Sequence, residues 1–164
     1  MISDSPYDVG APVLTPIKGI IAGIAAALAM LILIALVQPV SGVSPAAWLA
    51  LIGRMVLPSA EANLTLPAGS ALHIVIGAIF GLLYSLCQMQ IAPRNLIGVG
   101  IFYGFVIWIL GSLLLGWVFG EKLRDLLRSW PMLAAFLLYG LGLAIAAVWN
   151  LSRRPARPVA MAKD

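Results

Sequence analysis

The sequence predicts an all-α, polytopic membrane protein with four transmembrane helices and short interfacial amphipathic helices. Three observations carry this. Of the 164 residues, 62% are hydrophobic and 10% charged, against roughly 45–50% apolar and about 25% charged in soluble domains. Mean hydropathy is +1.05. The charges are bunched, leaving four long uncharged runs. The same composition excludes an ordinary soluble enzyme, a disordered tail, a collagen-like chain and a disulfide scaffold, since Cys87 has no second cysteine to pair with.

Nothing charged lies between Lys18 and Arg54. The apolar part of that run, 19–37, would be about 28 Å long as a helix, close to the roughly 30 Å hydrocarbon core of a bilayer. The second span is expected at 68–90, the third at 95–119 and the fourth at 131–151, each inside its own uncharged run. Backbone polar groups cannot be left bare in lipid, so runs of this length should be helices. Residues 1–16, with Asp4, Asp8, Pro6, Pro12 and Pro16, read as an extended arm without the basic start of a secretory signal peptide. Residues 17–151 form the membrane domain and 152–164 a basic tail.

The longest connection follows the first span. Ser44-Pro45 reads as a helix N-cap with proline at the first helical position. Trp48, Leu49, Leu51, Ile52, Met55 and Val56 then surround a single Arg54. This stretch is too short to span, and is expected to lie at the interface or on a neighbouring subunit until Pro58 ends it. The connection after the third span, EKLRDLLRSWP, repeats Leu123, Leu126 and Leu127 at helical spacing. It offers the opposite-charge pairs Glu121–Arg124, Lys122–Asp125 and Asp125–Arg128. Ser129 is placed to cap the fourth span, with Trp130 at headgroup level.

Orientation follows from lysine and arginine. The side holding both termini carries Lys18, Arg94, Arg153, Arg154, Arg157 and Lys163; the other carries Arg54, Lys122, Arg124 and Arg128. The positive-inside rule puts both termini in the cytoplasm. The basic residues therefore orient a membrane protein, and no basic stripe with interleaved aromatics points to nucleic acid.

Within a bilayer, helices associate through close packing of small residues. The first span carries Gly19, Gly23 and Ala27. The second carries Gly69, His73, Gly77, Gly81 and Ser85 on one stripe. The third carries Gly100 and Gly104, and the fourth Gly140 and Ala144. These glycines are the expected packing sites, as grooves within a bundle or for a larger partner.

No aspartate, glutamate, lysine or arginine falls inside an expected span. Proton relays, ion pathways and voltage sensors need such groups at membrane depth, so a stand-alone homo-oligomeric channel or transporter ranks last. No nucleophile elbow, P-loop, dinucleotide fingerprint or metal-ligand cluster is present, so no enzyme, metal or resident cofactor is expected. His73, the single histidine, is the one candidate cofactor contact: a ligand to haem or pigment metal, or a donor to a quinone carbonyl. The alternative is a neutral imidazole bonded to a neighbouring helix. Ser70 reads as a helix-start residue, and no carboxylate close in sequence stands ready to orient His73. Trp48, Trp117, Trp130 and Trp149 read as interfacial anchors, and Cys87 as a buried, inert thiol.

The stretches KGIIAGIAAALAM, HIVIGAIFGLLYSL, NLIGVGIFYGFVIWIL and FLLYGLGLAIA resemble small uncharacterised bacterial four-helix membrane proteins. In those, a histidine opens the second span ahead of a glycine pair, as His73, Gly77 and Gly81 do here. A second histidine often precedes the Tyr-Gly of the last span. Phe136 stands near that place, before Tyr139 and Gly140, which argues against a two-histidine site. In architecture the chain also resembles an accessory membrane subunit of an electron-transfer complex such as the quinol-oxidising alternative complex III. The first resemblance implies no activity. The glycine-striped spans, the polar-poor interior and the two amphipathic segments lead to the expectation of a non-catalytic accessory subunit in the bacterial cytoplasmic membrane, partnered by larger membrane subunits and lipids, with a quinone at a shared surface, and the second resemblance points the same way. The competing expectation is a pigment-, haem- or quinone-contacting protein using His73.

Overall fold

The computed structural model describes residues 14–59, 62–88 and 95–153. The elements among them are α1 Pro16–Ser41, α2 Pro45–Val56, α3 Ala62–Cys87, α4 Leu96–Leu110, α5 Gly116–Phe119, α6 Glu121–Leu127 and α7 Trp130–Ser152. A π turn, Gly111–Leu115, joins α4 to α5, so these pieces form one span, Leu96–Phe119. With α1, α3 and α7, that makes four helices long and apolar enough to cross a membrane. The chain is an all-α, multi-pass membrane protein.

Capping explains where the spans depart from the expected bounds. α1 starts at Pro16 because Thr15 is an N-cap whose hydroxyl accepts the Lys18 N–H at 3.4 Å, and Pro16 has no N–H to satisfy. Leu14 is already buried against the bundle, and residues 1–13 of the expected arm lie outside the described residues. α1 runs on to Ser41, where Gly42 takes a φ of 71° and its N–H bonds Gln38 O at 2.8 Å. α3 begins at Ala62 rather than 68, carrying Pro67 within it. Ser70 is therefore well inside the helix, its hydroxyl donating to Leu66 O at 2.9 Å. The expected end of this span at 90 lies outside the described residues, as do Arg94 and the tail beyond Arg153.

α1 is the centre of the bundle. It packs on α3 and on α7; α2 packs along α3 and also touches α1, and α4 packs along α7. The row is thus α2–α3–α1–α7–α4, bent so that α3 and α4 face each other with little direct contact. Small residues set each seam. A Cβ added at Gly81 would run into Gly19 O and lie 2.7 Å from Gly23 Cα; one added at Gly19 would lie 2.6 Å from Ser85 Cβ. On the opposite seam, a Cβ at Gly100 would come within 2.5 Å of both Ala144 Cβ and Gly140 O. Lys18 Nζ donates to Asn150 Oδ1 at 2.5 Å, tying the start of α1 to the end of α7 on one side of the membrane.

The structure adds a partner to each connection. α2 packs on α3 of its own chain. Gly53 and Gly69 bring α2 and α3 into backbone contact, at Thr65 O and Leu49 O, and Trp48 and Ile52 are buried. α6 forms as expected, with the Glu121–Arg124 pair at 3.3 Å, and adds Arg124–Asp125 at 3.8 Å. Ser129 occupies the N-cap of α7, yet its hydroxyl donates backwards to Leu126 O at 2.6 Å and not into the helix.

Candidate functional site

The bend in the row leaves a cavity of about 300 Å³ between α3 and the π turn. α1 supplies Ala27 and Met30 to its wall, α3 supplies His73, Gly77 and Phe80, and α7 supplies Phe136 and Tyr139. α2 and α6 roof it with Trp48, Ile52, Leu123 and Leu127, all buried. Because α6 is amphipathic, its leucines face inward while Glu121, Lys122 and Asp125 stay exposed. At the other end, Tyr103 of α4 donates to Phe80 O of α3 at 2.7 Å and struts the gap shut.

The cavity wall is hydrocarbon, and specific hydrogen bonds make it so. His73 Nε2 lies 3.1 Å from Ala27 O. A carbonyl only accepts, so Nε2 carries the proton and, in the neutral ring, Nδ1 keeps the lone pair. Tyr139 donates its hydroxyl to Gly77 O at 2.7 Å. Both side chains thus spend their donors on helix carbonyls and present ring carbon to the space. Trp48 meets the His73 ring edge-on at 6.4 Å between centroids. Its Nε1–H is buried and meets no acceptor among the described residues.

The π turn sits at the mouth. Trp108 Nε1 donates to Leu127 O at 2.6 Å, fixing α4 to the end of α6 just before the helix widens. Such turns frequently mark functional places in helices. Gly111 has open space where a side chain would stand, and Ser112 Oγ is buried without a partner among the described residues. Leu110 and Leu114, 48% and 60% exposed, line the rim.

The expected packing glycines, Gly19, Gly23, Gly77, Gly81, Gly100, Gly104 and Gly140, all meet neighbours of the same chain. Each of these seven closes a seam within the chain, the first of the two uses expected for them. Cys87 is exposed, not buried as expected. Trp48 is 5% exposed and belongs to the cavity wall, not to an interfacial belt. The sequence signal missed was its position on α2 one turn before Ile52, both on the face that meets α3. Among the described residues no group of three or more His, Cys, Asp or Glu side chains is placed to hold a metal.

The sequence model of a family of unknown function, DUF6789, matches residues 13–158. The chain belongs to this family. The match takes in all four spans, both connecting helices and every cavity residue. No curated protein and no solved structure matches the chain. Membership of DUF6789 therefore fixes kinship without an activity.

Proposed function

We propose that this DUF6789 protein is a non-enzymatic, membrane-embedded binding protein for a lipid-soluble molecule, seated in the cavity between α3 and the π turn. The supporting observation is that cavity, roofed from water by α2 and α6 and lined by ring and aliphatic carbon. Membrane bundles otherwise close their interiors with small residues, as this one does along its other seams. The size is at the small end of ligand pockets, which run from roughly 300 to 1,000 Å³. His73 enters this reading as a wall residue whose donor is occupied, and Nδ1 is the ring atom with a lone pair to offer. The decisive measurement is native mass spectrometry after gentle extraction and exchange into a detergent that strips surface lipid. One retained lipid-soluble molecule per chain is expected; a bare chain overturns the proposal.

A second proposal is that the protein serves as an accessory subunit of a larger membrane complex. It is supported by the connections, which hold the short helices α2 and α6 and no domain large enough for chemistry of their own. None of the comparisons links the chain to an electron-transfer complex. Co-migration with larger subunits on a native gel is expected, and migration alone sinks it. Under either reading we place the chain in a bacterial cytoplasmic membrane with both termini cytoplasmic. The distribution of lysine and arginine supports that orientation, and the Lys18–Asn150 contact supports placing both ends on one side.

A further inference from the structure

We infer that the occupant of the cavity is the hydrocarbon chain of a membrane lipid, entering sideways from the bilayer between α3 and the π turn while its headgroup stays outside. This rests on the binding reading above and narrows it to one ligand chemistry. Three observations lead there.

The first is the chemistry of the wall. The polar side chains around the space are His73, Tyr139 and Trp48. His73 and Tyr139 have their donors bonded to Ala27 O and Gly77 O, and Trp48 Nε1 is buried. A carbonyl head entering this space would give up its partners in water or headgroups and find the donors of His73 and Tyr139 already used. An alkyl chain loses nothing.

The second is the position of the mouth. The aqueous end is covered by Leu123 and Leu127 of α6 and by Trp48 and Ile52 of α2, all buried. The opposite end is shut by the Tyr103–Phe80 hydrogen bond. The half-exposed lining residues are Leu110 and Leu114, on the third span, so the opening faces the acyl chains of the surrounding bilayer.

The third is how an apolar space behaves in lipid. An apolar cavity of this kind stays dry and takes up apolar guests. Its bare walls forgo dispersion contacts that a flexible chain restores. Neighbouring lipid tails are the guest at the highest concentration.

The test reconstitutes the full chain in vesicles of phosphatidylethanolamine and phosphatidylglycerol. These carry a trace of phospholipid with a diazirine in mid-chain, or instead a diazirine-tagged short-tail benzoquinone. After illumination, labelled peptides are mapped by mass spectrometry. The expected result is labelling by the phospholipid at Met30, Trp48 or Ile52, which surface lipid cannot reach. That labelling should drop at least fivefold in Gly111→Leu, which fills the open space beside the π turn, while labelling of outward Phe102 stays constant. Leu110→Trp at the rim is the second plug should the first variant not fold. Interior labelling by the benzoquinone alone overturns the hydrocarbon-chain inference and leaves the binding reading standing. No interior labelling by either probe overturns both. Interior phospholipid labelling that survives both plugs also overturns the sideways route.

Discussion

At the crossing of α1 and α3, Gly19 and Gly23 meet Gly77 and Gly81 backbone to backbone, and a single methyl group has nowhere to go. At the π turn, Gly111 lacks a side chain just as completely, but nothing stands within 4 Å of where one would be. The first region spends its missing side chains on helix approach; the second leaves them as room. Around the first, Ala22, Ala26, Tyr84, Leu143 and Ala147 form a closed core. Around the second, larger residues such as Met30, Trp48, Ile52 and Leu127 surround a space they do not fill. Small residues let helices touch only where both partners are small. The third span faces α3 with Ile107, Leu110 and the widened turn, so that pair stays apart.

The contrast breaks most clearly at Gly81→Ala. The added methyl must push α1 off α3, and overpacking of this kind typically costs about 1–3 kcal/mol. A clear drop in melting temperature in detergent is expected. A variant that melts like the wild type would mean the seam is looser than its distances say. Gly111→Ala should do the reverse. It meets no neighbour, its φ of −60° suits any residue, and alanine is favoured over glycine in a helix by up to about 1 kcal/mol. The two substitutions are chemically identical, so opposite signs in one melting assay isolate the packing.

Tyr139→Phe tests the tie across the middle. It removes only the hydroxyl that donates to Gly77 O. Interhelical hydrogen bonds in membranes average about 0.6 kcal/mol and reach about 1.7, so a loss smaller than that at Gly81 is expected. A larger loss would show that the hydroxyl holds the cavity open as well as joining the helices. The readout is again the melt, paired with the interior photolabelling, which should survive because the ring remains in the wall.

The seams were legible in the sequence and the cavity was not. Four uncharged runs gave four spans, and four-residue glycine spacing marked the packing faces, because both signals are local to one helix. Whether a stripe meets its partner inside the chain or outside it depends on which helices are adjacent. No single stripe carries that information, so Gly19 or Gly100 read equally well as docking grooves. The cavity depends on a mismatch between two helices, Ile76 and Phe80 of α3 against the π turn, and GSLLL does not announce a widened turn. α2 is legible from Ser44, Pro45 and Pro58, but its partner is not, because the contact pairs Gly69, on the stripe of the second span, with Gly53, a lone glycine in a short helix that belongs to no stripe. His73 was found as a candidate because it is the single histidine; that its donor is used up on Ala27 O is a tertiary fact.

The smallest effect should come from Trp48→Phe, and its smallness is the point. Removing part of a buried indole gives up packing worth about 1 kcal/mol or more, by the roughly 25 cal/mol per Å² of apolar surface involved. Against this, Trp48 Nε1 is a buried donor without an acceptor, and an unmet donor costs about 1–3 kcal/mol that phenylalanine would not incur. The two nearly cancel, so the melt should barely move. A loss well beyond 2 kcal/mol would mean the indole N–H has a partner in the membrane, such as a polar ligand head reaching in from the cavity. In that case the space beside the π turn would be a polar-headed ligand's site and not a slot for a lipid tail.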